Sequence, residues 1–197
     1  MGRKPDPQRR EEILHAVVDH VLSEGLHELS LRPLGEAVEV SPRVFLYHFG
    51  SKEALIAEAL SEASYRQRRM FERWAAENAE AEPEELLLRF WRWLSSEQTS
   101  PYVRLFFEVY ALGLRGREGF AEYPAAAVTE WISFAQSTLT EAGSSEEQAR
   151  SQATLLVASV RGLLLDLLAT GDRDRVDRAF TELAQQLGRP LPAEREQ

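Results

Sequence analysis

Three helix-start signals follow one another closely around the stretch LRPLGEAVEVSPRVFLYHFGSKEAL, Leu31 to Leu55. Ser30 stands where an N-cap belongs ahead of a short helix through Val38, and Pro33 falls in its first turn, where the missing N–H has no helical partner. Ser41 followed by Pro42 repeats the signal for a helix ending near Phe49 or Gly50. Ser51 opens a third, longer helix from Lys52 to about Ala81, whose length predicts a connector. Two short helices joined by a turn can seat the second one in a major groove about 12 Å wide, with side chains reaching base edges. No other stretch of the chain is as specific.

The remainder also reads as helix, because Pro and Gly gather at punctuation points and no segment alternates with a two-residue period between hairpin turns. A first helix from Pro7 to Glu24 carries the apolar stripe Ile13, Leu14, Val17, Val21 and Leu22, and Gly25 ends it. Beyond Pro83, helices are expected at Glu84–Glu97, Pro101–Leu114, Tyr123–Ala142, Ser145–Thr170 and Arg173–Leu187. The tail RPLPAEREQ has no apolar period. The expectation is an all-α chain of about nine helices: a three-helix helix-turn-helix head over residues 1–52 and a helical-bundle body over 53–190, the part that the resemblance given below assigns to ligand binding and dimerisation.

The net charge of −9 argues at first against a polyanionic partner, but residues 1–52 carry only −1 of it and residues 53–197 the other −8. Within the head, Arg3, Lys4, Arg9, Arg10, Arg32, Arg43 and Lys52 can present one basic face. No uninterrupted apolar run approaches the ~18 residues of a membrane span, and MGRKPDPQRR lacks the apolar core of a secretory signal, so a cytoplasmic protein without membrane contact is expected. The absence of cysteine excludes disulfides, thiolate metal sites and a cysteine nucleophile.

In order and spacing, Glu11 to about Leu60 resembles the TetR family of bacterial transcriptional regulators, homodimers with an N-terminal helix-turn-helix head and an all-helical, ligand-binding body. In that family the recognition helix ends in an aromatic-His-Phe run and a Lys starts the next helix; Tyr47-His48-Phe49 and Lys52 occupy those places here, and Arg32 lies in the polar opening of the first helix of the pair. The chain departs from the pattern at Glu39, where the tight turn usually carries Gly, and at Leu46, where the family favours Tyr. A non-Gly residue held at positive φ costs roughly 1 kcal/mol.

The resemblance assigns double-stranded DNA as partner and gives each residue a physical role. Ser41, Pro42, Arg43 and Val44 form the first turn of the recognition helix, the end that approaches base edges. Arg43 can pair bidentately with guanine O6 and N7, whereas Val44 can touch a thymine methyl. Arg32, Tyr47, His48 and Lys52 are assigned to phosphates, helped by the positive end of the helix opening at Ser51; for His48 a packing role is the alternative. Arg3 and Lys4 form a candidate arm, and Phe45 and Phe49 are assigned to the head core.

All four histidines lie within the first 48 residues, so the body has neither His nor Cys and lacks a Ser-His or Cys-His nucleophile and the common imidazole metal ligands. No enzyme, cofactor or metal is expected. The body is instead rich in aromatics, and small-molecule pockets are mostly apolar with a few placed polar groups; Trp91, Arg104, Glu108 and Tyr110 are the candidate contacts for a partly apolar effector, with an Arg104–Glu108 ion pair as the alternative for those two. The segment SQATLLVASVRGLLLDLLATG is apolar on most sides. In TetR relatives the last two long helices pair with their symmetry mates, and the resemblance places Leu156, Val160, Leu163 and Leu167 at that homodimer seam, with Gly162 and Ala158 allowing close approach. Arg161 and Asp166 either pair or line the cavity. The reading is therefore a ligand-responsive repressor released from a palindromic operator by a small molecule. Its rivals are a ligand-independent DNA binder and a helical carrier or enzyme.

Overall fold

The computed structural model describes residues 6–26 and 30–187. Nine α-helices and no strand occur among them: α1 (Pro7–Glu24), α2 (Leu31–Ala37), α3 (Pro42–Phe49), α4 (Lys52–Glu77), α5 (Pro83–Leu94), α6 (Ser100–Leu114), α7 (Tyr123–Glu141), α8 (Glu146–Thr170) and α9 (Arg173–Leu187). Arg3, Lys4, His27 and the tail RPLPAEREQ lie outside the described residues. Local chemistry sets the ends. The Asp6 carboxylate accepts from Gln8 N at 3.1 Å and the Ser51 hydroxyl from Ala54 N at 3.0 Å. Ser30 and Ser41 have the extended N-cap backbone without a side-chain bond. The connector α4 stops at Glu77, short of Ala81, because the Asn78 amide donates back to Trp74 O and its carbonyl oxygen is taken by Arg89.

The head is built around one core. Ile13, Val17, Val18 and Val21 of α1 meet Leu34 of α2, Phe45 and Phe49 of α3, and Leu55, Ala59 and Ala63 of α4. This core does not break at residue 52: Leu105 and Val109 of α6 belong to the same cluster. Arg10 clamps three helices at once. Its guanidinium pairs with both Glu58 oxygens at 2.6 Å, donates to His48 O at 3.2 Å and lies 4.7 Å from the Phe49 ring centroid. A second tie joins head to body where α1 ends: Leu26 N donates to Glu108 Oε2 at 2.7 Å, and a Cβ at Gly25 would sit on that carboxylate.

Between α2 and α3, Glu39 holds φ at 55°, the single non-glycine residue at positive φ among those described. Val40 N donating to Gly35 O at 2.9 Å closes the turn around it. Because the Glu39 side chain is exposed, its replacement removes backbone strain without opening the core. Glu39→Gly is expected to raise the unfolding free energy by about 1 kcal/mol in urea titration.

In the body, Trp91 stacks on Phe180 at 4.6 Å and 12°, and its indole N–H donates to Asp177 at 2.7 Å. Val176, Phe180 and Ala184 of α9 thereby draw one side of α8 inward. Leu156, Val160, Leu163 and Leu167, expected at a dimer seam, pack instead against this cluster of their own chain. The helix is apolar on most sides, so periodicity alone does not choose the stripe that faces α9. What α8 leaves uncovered is Leu155, Ala158, Gly162 and Leu165, with Leu155 55% and Leu165 53% exposed. Although Arg161 and Asp166 interrupt its apolar run, the 25-residue α8 is long and apolar enough to cross a membrane, with a mean hydropathy of 1.7 over 18 residues. Asp166 is paired within the chain, its oxygens 2.7 and 2.8 Å from Arg175 Nη1 and Nη2, which hold its carboxyl below the ordinary carboxylate range.

Candidate functional site

The outer face of α3 carries the candidate DNA contacts. Ser41, Pro42 and Arg43 are exposed at its first turn, Val44 and His48 are half-buried, and Tyr47 is 51% exposed. Ser41, Arg43, Val44, Tyr47 and His48 line one open groove of about 460 Å³, together with Arg9 from α1 and Glu39 from the turn. The fold thus gathers five of the eight residues expected to touch DNA, with Pro42 beside them. Arg32 and Lys52 sit apart, each in the first turn of its helix, where unpaired backbone N–H groups and the helix dipole favour an anion.

Electrostatics divides these cations. Arg43 and Lys52 enter no ion pair among the described residues. Arg32 forms an exposed i,i+4 pair with Glu36 at 3.3 Å, and Arg9 is held by Glu12 at 3.0 Å; pairs so exposed are worth little and can exchange Glu for phosphate. Arg10 differs, since its four contacts bind it into the head. His48 has both expected aspects: its carbonyl accepts from Arg10, while its ring Nδ1 is buried without a partner among the described residues. A phosphate contact by this ring therefore falls to Nε2.

The four residues expected to contact an effector do not converge. Trp91 is sealed between α5 and α9, and Arg104 is exposed, with Ser100 Oγ at 3.5 Å. Glu108 is engaged by the backbone of Leu26 and forms no pair with Arg104 among the described ion pairs. The Tyr110 ring lies 5.6 Å from the Arg161 guanidinium, which also covers Phe106. A cavity of about 420 Å³ lies between the first half of α4, α6 and the α6–α7 connection. Ile56 and Leu60 of α4 face Tyr102, Leu105, Phe106 and Val109 of α6, with Phe120 and Tyr123 closing one side. Its α6 wall was visible in the aromatic composition of the body. Its α4 wall was not, because Lys52 to Gln67 reads as a mixed, largely polar surface until the fold sets it against α6.

A second aromatic group joins Phe71 and Trp74 of α4, Phe90 and Trp93 of α5, and Trp131 and Phe134 of α7, with ring centroids 5.4–6.3 Å apart in its contacts. Trp74 stacks on Trp93 at 5.6 Å, none of the six rings is fully buried and Phe134 is 48% exposed, so this group is a partly open aromatic cluster between three helices.

Residues 13–59 match the model for bacterial regulatory proteins of the tetR family. Comparison with curated proteins finds no match. Among solved structures, a transcriptional regulator from Rhodococcus sp. Rha1 is similar at a TM-score of 0.73 and 20% identity, over 90% of this chain and 95% of that one. A protein from Saccharomonospora viridis in complex with choline gives 0.73 and 19%, over 91% and 97%. Both share the fold. The multidrug binding protein EbrR, complexed with imidazole, is 28% identical over 98% of this chain and 96% of that one, with a TM-score of 0.59.

Proposed function

We propose that this chain, a member of the tetR family of bacterial regulatory proteins through its residues 13–59, is a cytoplasmic, homodimeric repressor that releases a pseudo-palindromic operator when a small molecule binds its body. The observation that carries the reading is the α3 groove, where an unpaired guanidinium, Arg43, stands at the helix end that enters a major groove. Reading DNA is then the work of residues 1–52, and effector binding and dimerisation that of 53–190. Arg43 specifies, and Arg32, Tyr47, His48 and Lys52 position the head on phosphates. That two similar proteins are complexed with choline and with imidazole supports a ligand-responsive body. Regulation rather than catalysis is the family's work.

The division of labour is testable with purified protein and a bound DNA site. Arg43→Ala is expected to lose ~1–3 kcal/mol at one base pair and to relax preference there. Lys52→Ala should weaken all sequences alike and lower the salt slope by about 0.9. Equal, sequence-independent losses from both variants would overturn the assignment.

The dimer seam is read as the uncovered stripe Leu155, Ala158, Gly162 and Leu165, spaced by three and four residues so that all share one face of α8. The same stripe explains why a helix of membrane-like composition leaves apolar residues exposed: a second copy covers them. Leu165→Glu places a charge in that seam and is expected to weaken dimerisation at least tenfold in sedimentation experiments, about 1.4 kcal/mol. Leu163→Glu should unfold the body rather than separate intact protomers.

A further inference from the structure

The 420 Å³ cavity borders the head core directly. On α4, Leu55 and Ala59 belong to the head core, Ile56, Ala57 and Ser64 line the cavity, and Leu60 and Ala63 touch both; Lys52 also lines the cavity. The opposite wall also belongs to both regions, since Leu105 and Val109 line the cavity and join the head core. An occupant that widens the gap between α4 and α6 must move a helix that holds α3 and carries a candidate phosphate contact.

Its lining also restricts the chemistry of the occupant. The rings of Tyr102, Phe106, Phe120 and Tyr123 dominate one side. The charges present, Lys52 and Arg117 against Glu53 and Glu118, balance in sign, so an ionic ligand meets no net countercharge to offset its desolvation. Of its uncharged polar side chains, Ser64 donates to Leu60 O, while Ser61, Gln67, Tyr102 and Tyr123 make no hydrogen bond among the described residues. A phenol is an O–H donor at neutral pH, and burial pushes those of Tyr102 and Tyr123 further above their ordinary pKa. A volume of this size suits a small organic molecule, and pockets for such ligands are mostly apolar with a few placed polar groups.

We propose that this cavity is the effector site, and that it takes an uncharged, flat aromatic molecule with a hydrogen-bond acceptor, held by the ring contacts and by O–H donation from Tyr102 and Tyr123. The assignment rests on the ligand-responsive reading above and replaces Trp91, Arg104, Glu108 and Tyr110 as the place where that ligand sits. Binding here favours the arrangement of α4 and α6 that accommodates the ligand, and the operator is released to the extent that this arrangement fails to hold DNA.

Nile red, uncharged and planar with a ring carbonyl, is a suitable probe, with ethidium as a cationic and anilinonaphthalene sulfonate as an anionic counterpart. Titrated into the full-length protein, Nile red is expected to bind saturably and to weaken operator binding at least tenfold in fluorescence anisotropy. Ala57→Trp, at an exposed cavity-lining position, should weaken dye binding at least tenfold while leaving helix content unchanged. The Tyr102→Phe, Tyr123→Phe double variant, which keeps the rings and removes only the donors, should weaken it about tenfold. The proposal is overturned if neither variant affects the dye, if a charged dye binds more tightly, or if Nile red fills the cavity without moving operator affinity. Should another small molecule release the operator equally from wild type and Ala57→Trp, the ligand-responsive reading stands and this site for it falls.

Discussion

Gly35→Ala is expected to destabilise the head by about 2–3 kcal/mol and to weaken operator binding by more than tenfold. The sign runs against helix propensity. In the middle of an exposed helix, Gly to Ala gains ~1 kcal/mol. Gly35, however, is buried on the side of α2 that faces the turn, and an added methyl would collide with the carbonyl oxygen of Val40, with Phe45 Cε2 3.5 Å away. That oxygen has little freedom to move, because Val40 N donates to Gly35 O at 2.9 Å and the Val40 side chain is buried in the head core. The methyl therefore has to push α3 away from α2, which changes the angle at which Arg43 is presented. Urea unfolding and anisotropy with operator DNA read the two effects separately. A stabilised variant with unchanged DNA affinity would show that α2 and α3 do not meet this closely.

Phe180→Ala should produce the largest loss in the body, about 3–5 kcal/mol. Phe180 is completely buried, stacks on Trp91 and lies at the centre of the cluster that joins α5, α8 and α9. Truncation leaves a void bordered by Trp91, whose position is further fixed by its hydrogen bond to Asp177, so the site cannot readily collapse. Phe180→Leu, which fills most of the volume, should lose less. The same contacts separate the two roles considered for Trp91: Trp91→Phe is expected to lower stability while leaving effector affinity unchanged, whereas a matching loss of effector binding would return Trp91 to a ligand site.

Much of the fold was legible because its determinants are local. Asp6-Pro7, Ser41-Pro42 and Ser51 mark helix starts through chemistry that operates within one turn, and the bounds of α1, α3 and α9 follow from it. The strain at Glu39 was legible through the resemblance, in which the tight turn usually carries Gly, and the structure holds its φ at 55°. The candidate contacts on α3 lie within one short helix, so residue order alone brought them together. Pairings between distant residues were not legible. No spacing rule links Arg10 to Glu58, Glu108 to Leu26 N, or Trp91 to Phe180. Which apolar face of α8 turns toward α9 was not legible for a related reason. Where Leu155 and Leu156, and again Leu164 and Leu165, are equally apolar neighbours, only the partner helix decides which turns inward. The cavity between α4 and α6 lay further still from what sequence could show, since one of its walls comes from a connector helix that looks like solvated surface.

Selection of bound sequences from a random DNA pool by the purified protein, at a stated salt concentration, tests the central claim most directly. A dimeric operator reader should enrich a two-fold-related motif whose half-sites are spaced by whole turns of the duplex, and Arg43→Ala should relax one base pair in each half. Enrichment of no motif, or of a single unrepeated half-site by a protein that remains dimeric, would contradict it.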